Sequence, residues 1–316
     1  MNEKIRIYAV VGPTASGKSA LALEIAQRFG GEIVSCDSMQ IYRRMDIGTA
    51  KPTKEEQALV PHHMIDVVEP TESFSCADYV AAADKTIRDI HARGKLPIIC
   101  GGTGLYLDAL LRENDFTPSI TDDVLRAELL EFARVYGAEA LHAELERIDP
   151  ESAAATHPNN VKRVARAIEI YRLSGVTKTE IDRQSRLGGN RFDARVVGLV
   201  YSDRDALYAR IDGRVDIMLR DGLESETRSL LAEGVFERNA TAAQAIGYKE
   251  LLGYIEGAES LEEATERLKQ ATRRYAKRQL TWFSGKDYVT PVDICGTQNK
   301  KTFEEIVNIV SGLFFY

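Results

Sequence analysis

Cysteine is scarce in this chain. Only Cys36, Cys76, Cys100 and Cys295 occur in 316 residues, and no two form a C-x-x-C pair. That spacing excludes a disulfide framework and a thiolate zinc site, and it leaves buried free thiols as the expectation. Long hydrophobic runs are missing as well: no stretch reaches the roughly 18 apolar residues needed to span a bilayer. The opening MNEKIRIYAVVG runs into a glycine-rich loop too early for a signal peptide, so a cytoplasmic chain with no membrane partner is expected. Neither an internal repeat nor a low-complexity segment is visible. Tryptophan occurs once, as Trp282, and is expected to anchor a core. Basic residues are not in excess either: 41 Lys and Arg against 48 Asp and Glu give a net charge of -7, which argues mildly against a nucleic-acid partner.

What is present changes that picture. Positive charge gathers in two stretches, VKRVARAIEIYR (Lys162, Arg163, Arg166, Arg172) and RLKQATRRYAKRQ (Arg267 to Arg278). At about 100° per residue, Arg267, Arg274 and Arg278 share one helical stripe flanked by Arg273 and Lys277. Such a face is either a solvated surface or a track for phosphates.

Along the first third, strand-like and helix-like segments alternate as in a parallel α/β sheet. Ile5 to Val11 is predicted as a buried strand, followed by a helix carrying Leu21, Ile25 and Phe29 and stopped at Gly30 and Gly31. Ile33 to Ser38 predicts a second strand that delivers Asp37 to its carboxyl end. Ser75 with Asp78 resembles a capping box, opening a helix that runs to about Arg93. LPIICGGTGLYL then predicts a strand, a glycine turn and a helix start. From Asn114 to about Asn190 the texture turns charged and helical, and Arg195 to Ser202 returns to strand character. The expected architecture is therefore an α/β phosphate-loop core of residues 1–113 and 195–316, a parallel sheet flanked by helices, with an all-helical insertion at 114–194. Beyond Phe283 no element is predicted.

The segment GPTASGKS matches G-x-x-x-x-G-K-[ST] with Gly12, Pro13, Thr14, Ala15, Ser16, Gly17, Lys18 and Ser19. Backbone N–H groups of such a loop and the positive end of the following helix surround a di- or triphosphate; Lys18 adds a point charge and Ser19 can ligate Mg²⁺. A nucleotide-hydrolysing machine would also show an apolar strand ending in a metal-binding Asp, whereas LPIIC ends in Gly101 and Gly102. Asp37, 19 residues beyond Lys18, is the outstanding carboxylate. Adjacent parallel strands finish on one sheet edge, so it should open into the crevice of the loop. From spacing alone it organises Mg²⁺ through water, accepts a proton from a nucleophile, or caps the next turn. Thr103, in the turn GGTGLY, brings a hydroxyl to the same edge. His62 and His63 are adjacent without a third ligand, so loop or core packing is expected of them.

The ordered set GPTASGKS, DSMQIYRRMDIGTAKP, HHMIDVVEP, GGTGLYLDALL, NNVKRVARAIEIY, QAIGYKEL and RRYAKRQLTWF closely resembles the bacterial tRNA dimethylallyltransferase (tRNA isopentenyltransferase) family, over nearly the whole chain. The resemblance implies that the loop holds the diphosphate of dimethylallyl diphosphate and that the prenyl group passes to N6 of adenosine 37 in tRNAs reading codons that begin with U. It assigns Asp37 the role of general base and places Thr14, Thr103 and Arg214 about the diphosphate and reacting centre, Arg210 competing with Arg214 for that match. Contacts to the tRNA anticodon stem-loop map onto Asp37, Ser38, Met39 and Gln40, onto Thr103 and Arg126, onto Lys162, Arg163, Val164, Ala165 and Arg166, and onto Gly247, Tyr248 and Lys249. It implies Mg²⁺ on Ser19 as cofactor and a monomer that closes its helical insertion over the stem-loop. Two rivals remain at this point: a small-molecule or nucleotide kinase, and a nucleotide-switched RNA-binding protein without catalysis.

Overall fold

Six strands form one sheet: β1 (Arg6–Val11), β2 (Gly31–Cys36), β3 (His62–His63), β4 (Leu96–Gly101), β5 (Asp193–Val200) and β6 (Val289–Asp293). The computed structural model describes residues 4–112, 122–187, 189–295 and 301–315. Every strand pair is parallel, in the order β3-β2-β4-β1-β5-β6. β1 is continuous in apolar residues because both of its faces are covered. Ile7, Ala9 and Val11 point toward the helices Cys76–Ala92 and Gly104–Leu111, alongside Tyr79, Ile87, Ile90 and Leu107. Tyr8 and Val10 point the other way, onto Leu21 and Ile25 of the helix Lys18–Phe29 and onto Val307, Val310 and Phe314 of the helix Phe303–Phe315.

The chain leaves β1 toward β2 and β4 and later returns to β5 on the opposite side. The loop after β1 therefore sits at the reversal of strand order, where crevices open in such sheets. A third core covers this carboxyl edge. It joins Ile41, Tyr42 and Met45, from the segment after β2, to Val215, Leu223 and Leu268 of the C-terminal helices and to Tyr248 of a turn between them.

The chain divides into two compact units, one of Met1–Leu111 with Phe192–Tyr316 and one of Arg112–Arg191. The boundary expected near Asn114 lies outside the described residues. The second unit packs the helices Asp123–Tyr136, Ala138–Ile148 and Val161–Ser174 around Leu129, Leu141, Leu145, Val164 and Ile168.

The capping box of Ser75 and Asp78 forms as expected. Three elements differ from expectation. β2 runs from Gly31 and stops at Cys36, short of the Ser38 expected, so Asp37 opens the loop that follows the strand. His62 and His63 form the short edge strand β3 beside β2. The tail folds into β6 and the helix Phe303–Phe315, whose Val307, Val310 and Phe314 close the sheet face.

Candidate active site

The loop between β1 and the helix Lys18–Phe29 is held in an unusual backbone shape. Ala15 adopts φ 62, a left-handed conformation that a residue with a Cβ tolerates only when its surroundings fix it. Arg210 Nε donates to the Ala15 carbonyl at 2.9 Å. Thr14 N–H donates to Gln279 Oε1 at 2.8 Å, and Gln279 Nε2 donates to the Gly102 carbonyl at 3.0 Å. The buried Gln279 thus ties the phosphate loop to the second glycine turn, and a Cβ on Gly102 would collide with its amide. Ser16 Oγ is buried in the loop without a hydrogen-bond partner. Such a group is costly to leave unsatisfied, and an oxyanion oxygen would satisfy it.

In front of the loop lies a cavity of about 390 Å³ lined by Thr14, Lys18, Ser19, Asp37, Arg214 and Tyr275, among others. Lys18 Nζ donates to the Pro13 carbonyl at 3.1 Å. Burial lowers the Lys18 pKa; Cys100 and Asp37 oppose the shift, and Arg214 adds to it. Burial likewise lowers the Arg214 pKa, with Asp37 opposing and Arg210 reinforcing the change. Two partly buried cations thus stand beside one carboxylate, an arrangement poised for a polyanion. Cys100, at the end of β4, has its thiol pushed up to about 11, chiefly by burial. It stays a neutral wall of the cavity.

Asp37 Oδ1 accepts the Met39 N–H at 2.9 Å. One carboxylate oxygen therefore does cap the turn, while the side chain still lines the cavity. Ser38, Met39 and Gln40 line it too. Thr103 stands one residue before the helix Gly104–Leu111. Its N–H donates to the Cys36 carbonyl at 3.1 Å, and its Oγ1 accepts from Ser38 N–H at 3.0 Å. Thr103 is thereby fastened to the strand end that carries Asp37. Of the two competing arginines, Arg214 faces the cavity, while Arg210 braces the loop backbone.

Gly247 and Lys249 also line the cavity, but Tyr248 is fully buried and its hydroxyl donates to Glu226 at 2.7 Å. The tyrosine side chain is structural, and only its backbone neighbours face the opening. In the second unit, Val164 and Ala165 are fully buried, so the stretch 162–166 presents Lys162, Arg163 and Arg166 alone. Arg126 and Arg166 both donate to the buried carboxylate of Glu169, at 2.9 Å and 2.8 Å.

The long basic helix, Leu261–Ser284, is less uniformly basic than its sequence. Arg267 pairs with Glu259, Lys269 with Asp216, and Arg273 with Asp212 and Glu266. Among the described residues Arg274 and Arg278 form no ion pair, and with Lys249 they line a groove of about 430 Å³. Lys249 and Arg278 belong to the cavity wall as well. Trp282 departs from expectation: it is 39 % exposed, lying against Gly104 with Lys286 Nζ 5.0 Å from its ring centroid. His62 Nδ1 donates to the Val60 carbonyl and His63 Nε2 to Glu32, each at 2.7 Å. Sequence reasoning misses Tyr275 and Gln279. Their signal is positional: Leu268, Thr272, Tyr275 and Gln279 recur at helical spacing, so polar groups occupy an inward stripe where apolar ones are ordinary.

The comparisons with known proteins point to one family. The family model described as IPP transferase matches residues 40–286, and the one described as isopentenyl transferase matches residues 5–66. The tRNA dimethylallyltransferase of Halalkalibacterium halodurans is 47% identical over 309 residues, covering 98% of both chains. That of Caldanaerobacter subterraneus is 46% identical over 303 residues, covering 96% of this chain and 95% of its own. Among solved structures, the tRNA isopentenylpyrophosphate transferase of Bacillus halodurans superposes with a TM-score of 0.71 at 45% identity, covering 98% of this chain and 97% of that one. A eukaryotic dimethylallyltransferase solved acting on tRNA gives a TM-score of 0.81 at 30% identity, over 98% of this chain and 79% of its own. The chain belongs to the IPP transferase family, that of the tRNA dimethylallyltransferases.

Proposed function

We propose that this chain transfers a dimethylallyl group from dimethylallyl diphosphate to N6 of adenosine 37 in tRNAs reading codons that begin with U, releasing diphosphate. The observation that carries the reading is the convergence of Lys18, Arg214 and Asp37 on one cavity, in a chain whose relatives bear that activity in their names. Diphosphate leaves readily only if its growing charge is neutralised. The loop amides, the unpartnered Ser16 hydroxyl, Lys18 and Arg214 supply that neutralisation without reorganising at the moment of reaction. The adenine amine is a weak nucleophile because its lone pair is delocalised into the ring. Asp37 takes the amine proton as the C–N bond forms, through the carboxylate oxygen that does not cap the turn. Thr103 fixes the backbone on which Asp37 stands, its N–H on the Cys36 carbonyl and its hydroxyl oxygen on the Ser38 N–H.

Mg²⁺ fits at Ser19, whose hydroxyl at the cavity wall offers the oxygen ligand it prefers. Among the described residues no three His, Cys, Asp or Glu side chains stand together as a metal site, so diphosphate oxygens and water would complete its shell. Bound there, the ion would neutralise charge on the leaving group. The target nucleotide must leave the anticodon-loop stack to reach the cavity, which costs a few kcal/mol and least for an unpaired base. The groove of Lys249, Arg274 and Arg278 at the cavity wall suits its flanking phosphates, and Lys162, Arg163 and Arg166 suit the stem-loop backbone. We read the chain as a cytoplasmic monomer.

The test is transfer from radiolabelled dimethylallyl diphosphate to unmodified tRNA with Mg²⁺, against ATP in place of the prenyl donor. Label on adenosine 37 is expected. No label, together with ATP turnover, would return the cavity to a kinase.

Alanine at both Arg274 and Arg278 is expected to weaken binding to all tRNAs alike. The slope of log K against log salt should become shallower by about 1 for each phosphate that is no longer neutralised. A slope equal to that of the parent protein would remove the groove from the RNA surface.

A further inference from the structure

Gln40 reaches the cavity wall with its amide already engaged. Its Nε2 donates to the Thr49 carbonyl at 3.3 Å and to the Ala50 carbonyl at 3.1 Å, and Ser35 Oγ donates to its Oε1 at 2.9 Å. Two carbonyl oxygens accept only, so they settle which end of the amide is nitrogen. Both N–H groups are committed to the protein, and what is left toward the cavity is one lone pair of Oε1. A glutamine in this state cannot make the two-bond contact to an adenine edge that its sequence suggests. It can only accept, and an exocyclic amine is what it would accept from.

The two carbonyls are aimed by an unusual turn. Ala50 has φ 47. The turn is stapled from one side by Glu226, in the helix Leu223–Ala232, whose carboxylate accepts three successive backbone N–H groups: Asp46 at 3.1 Å, Ile47 at 2.9 Å and Gly48 at 3.0 Å. Successive N–H groups around one anion form a nest. The Tyr248 hydroxyl adds a fourth bond at 2.7 Å, and its ring lies so close that a Cβ on Gly48 would stand 2.5 Å from Cζ. From the other side, the ammonium of the buried Lys51 binds the Tyr42 carbonyl at 2.8 Å and Asp66 at 2.7 Å.

We propose that Glu226 is a positioning residue for base recognition: by holding residues 46–48 it aims the Thr49 and Ala50 carbonyls, locks the Gln40 amide, and leaves an acceptor-only wall that selects an amino base over an oxo base. The inference rests on the proposed function for its substrate class, but its test needs no prenyl donor and no transfer. Two anticodon stem-loop RNAs, identical except for adenosine or inosine at the reacting position, are compared by fluorescence anisotropy. Inosine presents a carbonyl oxygen where adenosine presents N6–H. The parent protein is expected to bind the inosine RNA about 10- to 100-fold more weakly. In E226Q, one acceptor oxygen is replaced by an amino group facing backbone N–H, the turn relaxes, and the amide can rotate to donate to the inosine oxygen. The ratio should then fall to about threefold or less. G48A, which pushes the same turn off Tyr248 without touching the carboxylate, should reduce the ratio too and stands in if E226Q does not fold. Equal loss of affinity for both RNAs, with the ratio preserved, would make Glu226 merely structural and overturn the proposal. So would a parent protein that does not discriminate between the two RNAs.

Discussion

Replacing Asp37 by asparagine is expected to lower kcat for prenyl transfer by ~10²- to 10⁴-fold, the range set by loss of a positioned general base, while tRNA binding stays close to that of the parent. Asparagine keeps the Oδ1 that accepts the Met39 N–H, so the turn into residues 38–40 should survive. What it loses is basicity and one negative charge. That charge has a second effect, because Asp37 opposes the lowering of the Lys18 and Arg214 pKa values. Without it, both cations face only the incoming diphosphate. The KM for the prenyl donor should therefore hold or fall while kcat collapses. A merely structural role for Asp37 would raise KM and lower kcat together. Full transfer by the asparagine variant would remove the general-base assignment.

The sheet and the phosphate loop are legible in the sequence because each is a local pattern. β1 is a run of apolar residues, the loop is a spaced motif, and the helix Cys76–Ala92 announces itself by a capping box. The edge elements are not. β3 is two histidines, a strand only because β2 offers it a partner, and no periodicity exists in two residues. Asp37, Thr103 and the loop lysine are legible because motif and strand ends carry them. Gln279 and Tyr275 lie more than 230 residues from the loop they face, in a helix whose charges draw the eye to its other side. Their role depends on tertiary closure of that helix over the sheet edge, which local spacing does not encode.

Charge counting misleads for the same reason. Of the basic residues in RLKQATRRYAKRQ, Arg267, Lys269 and Arg273 are matched by carboxylates brought from elsewhere in the chain or two turns away. Surface pairs of this kind are worth little for stability, but they subtract cations from any phosphate track. Glu169 acts oppositely in the second unit. Fully buried, it gathers Arg126 and Arg166, and so fixes where two predicted RNA contacts stand. A sequence reading finds the arginines and overlooks the acid.

Lys18→Met is expected to separate catalysis from stability in opposite directions. The methionine replaces the ammonium with an unbranched apolar chain, so kcat/KM for transfer should fall by ~10²- to 10³-fold, the scale for removing one preorganised group that stabilises developing negative charge. The fold has reason to gain. In the ligand-free protein the Lys18 ammonium is desolvated and donates to the Pro13 carbonyl, and burying a charge without full compensation destabilises. The loop itself does not rest on Lys18, since Arg210 holds Ala15 and Gln279 holds Thr14. A Tm equal to or above that of the parent is therefore expected from calorimetry, alongside the kinetic loss. The alkaline side of donor binding should change as well. Binding calls for the ammonium form, and burial lowers the Lys18 pKa. Affinity in the parent is thus present at lower pH and lost as pH rises through that lowered value, a dependence the methionine variant cannot show. A fall in Tm accompanying the fall in activity would instead make Lys18 a strut for the Pro13 turn, and the loop's hold on diphosphate would then rest on its amides and Arg214.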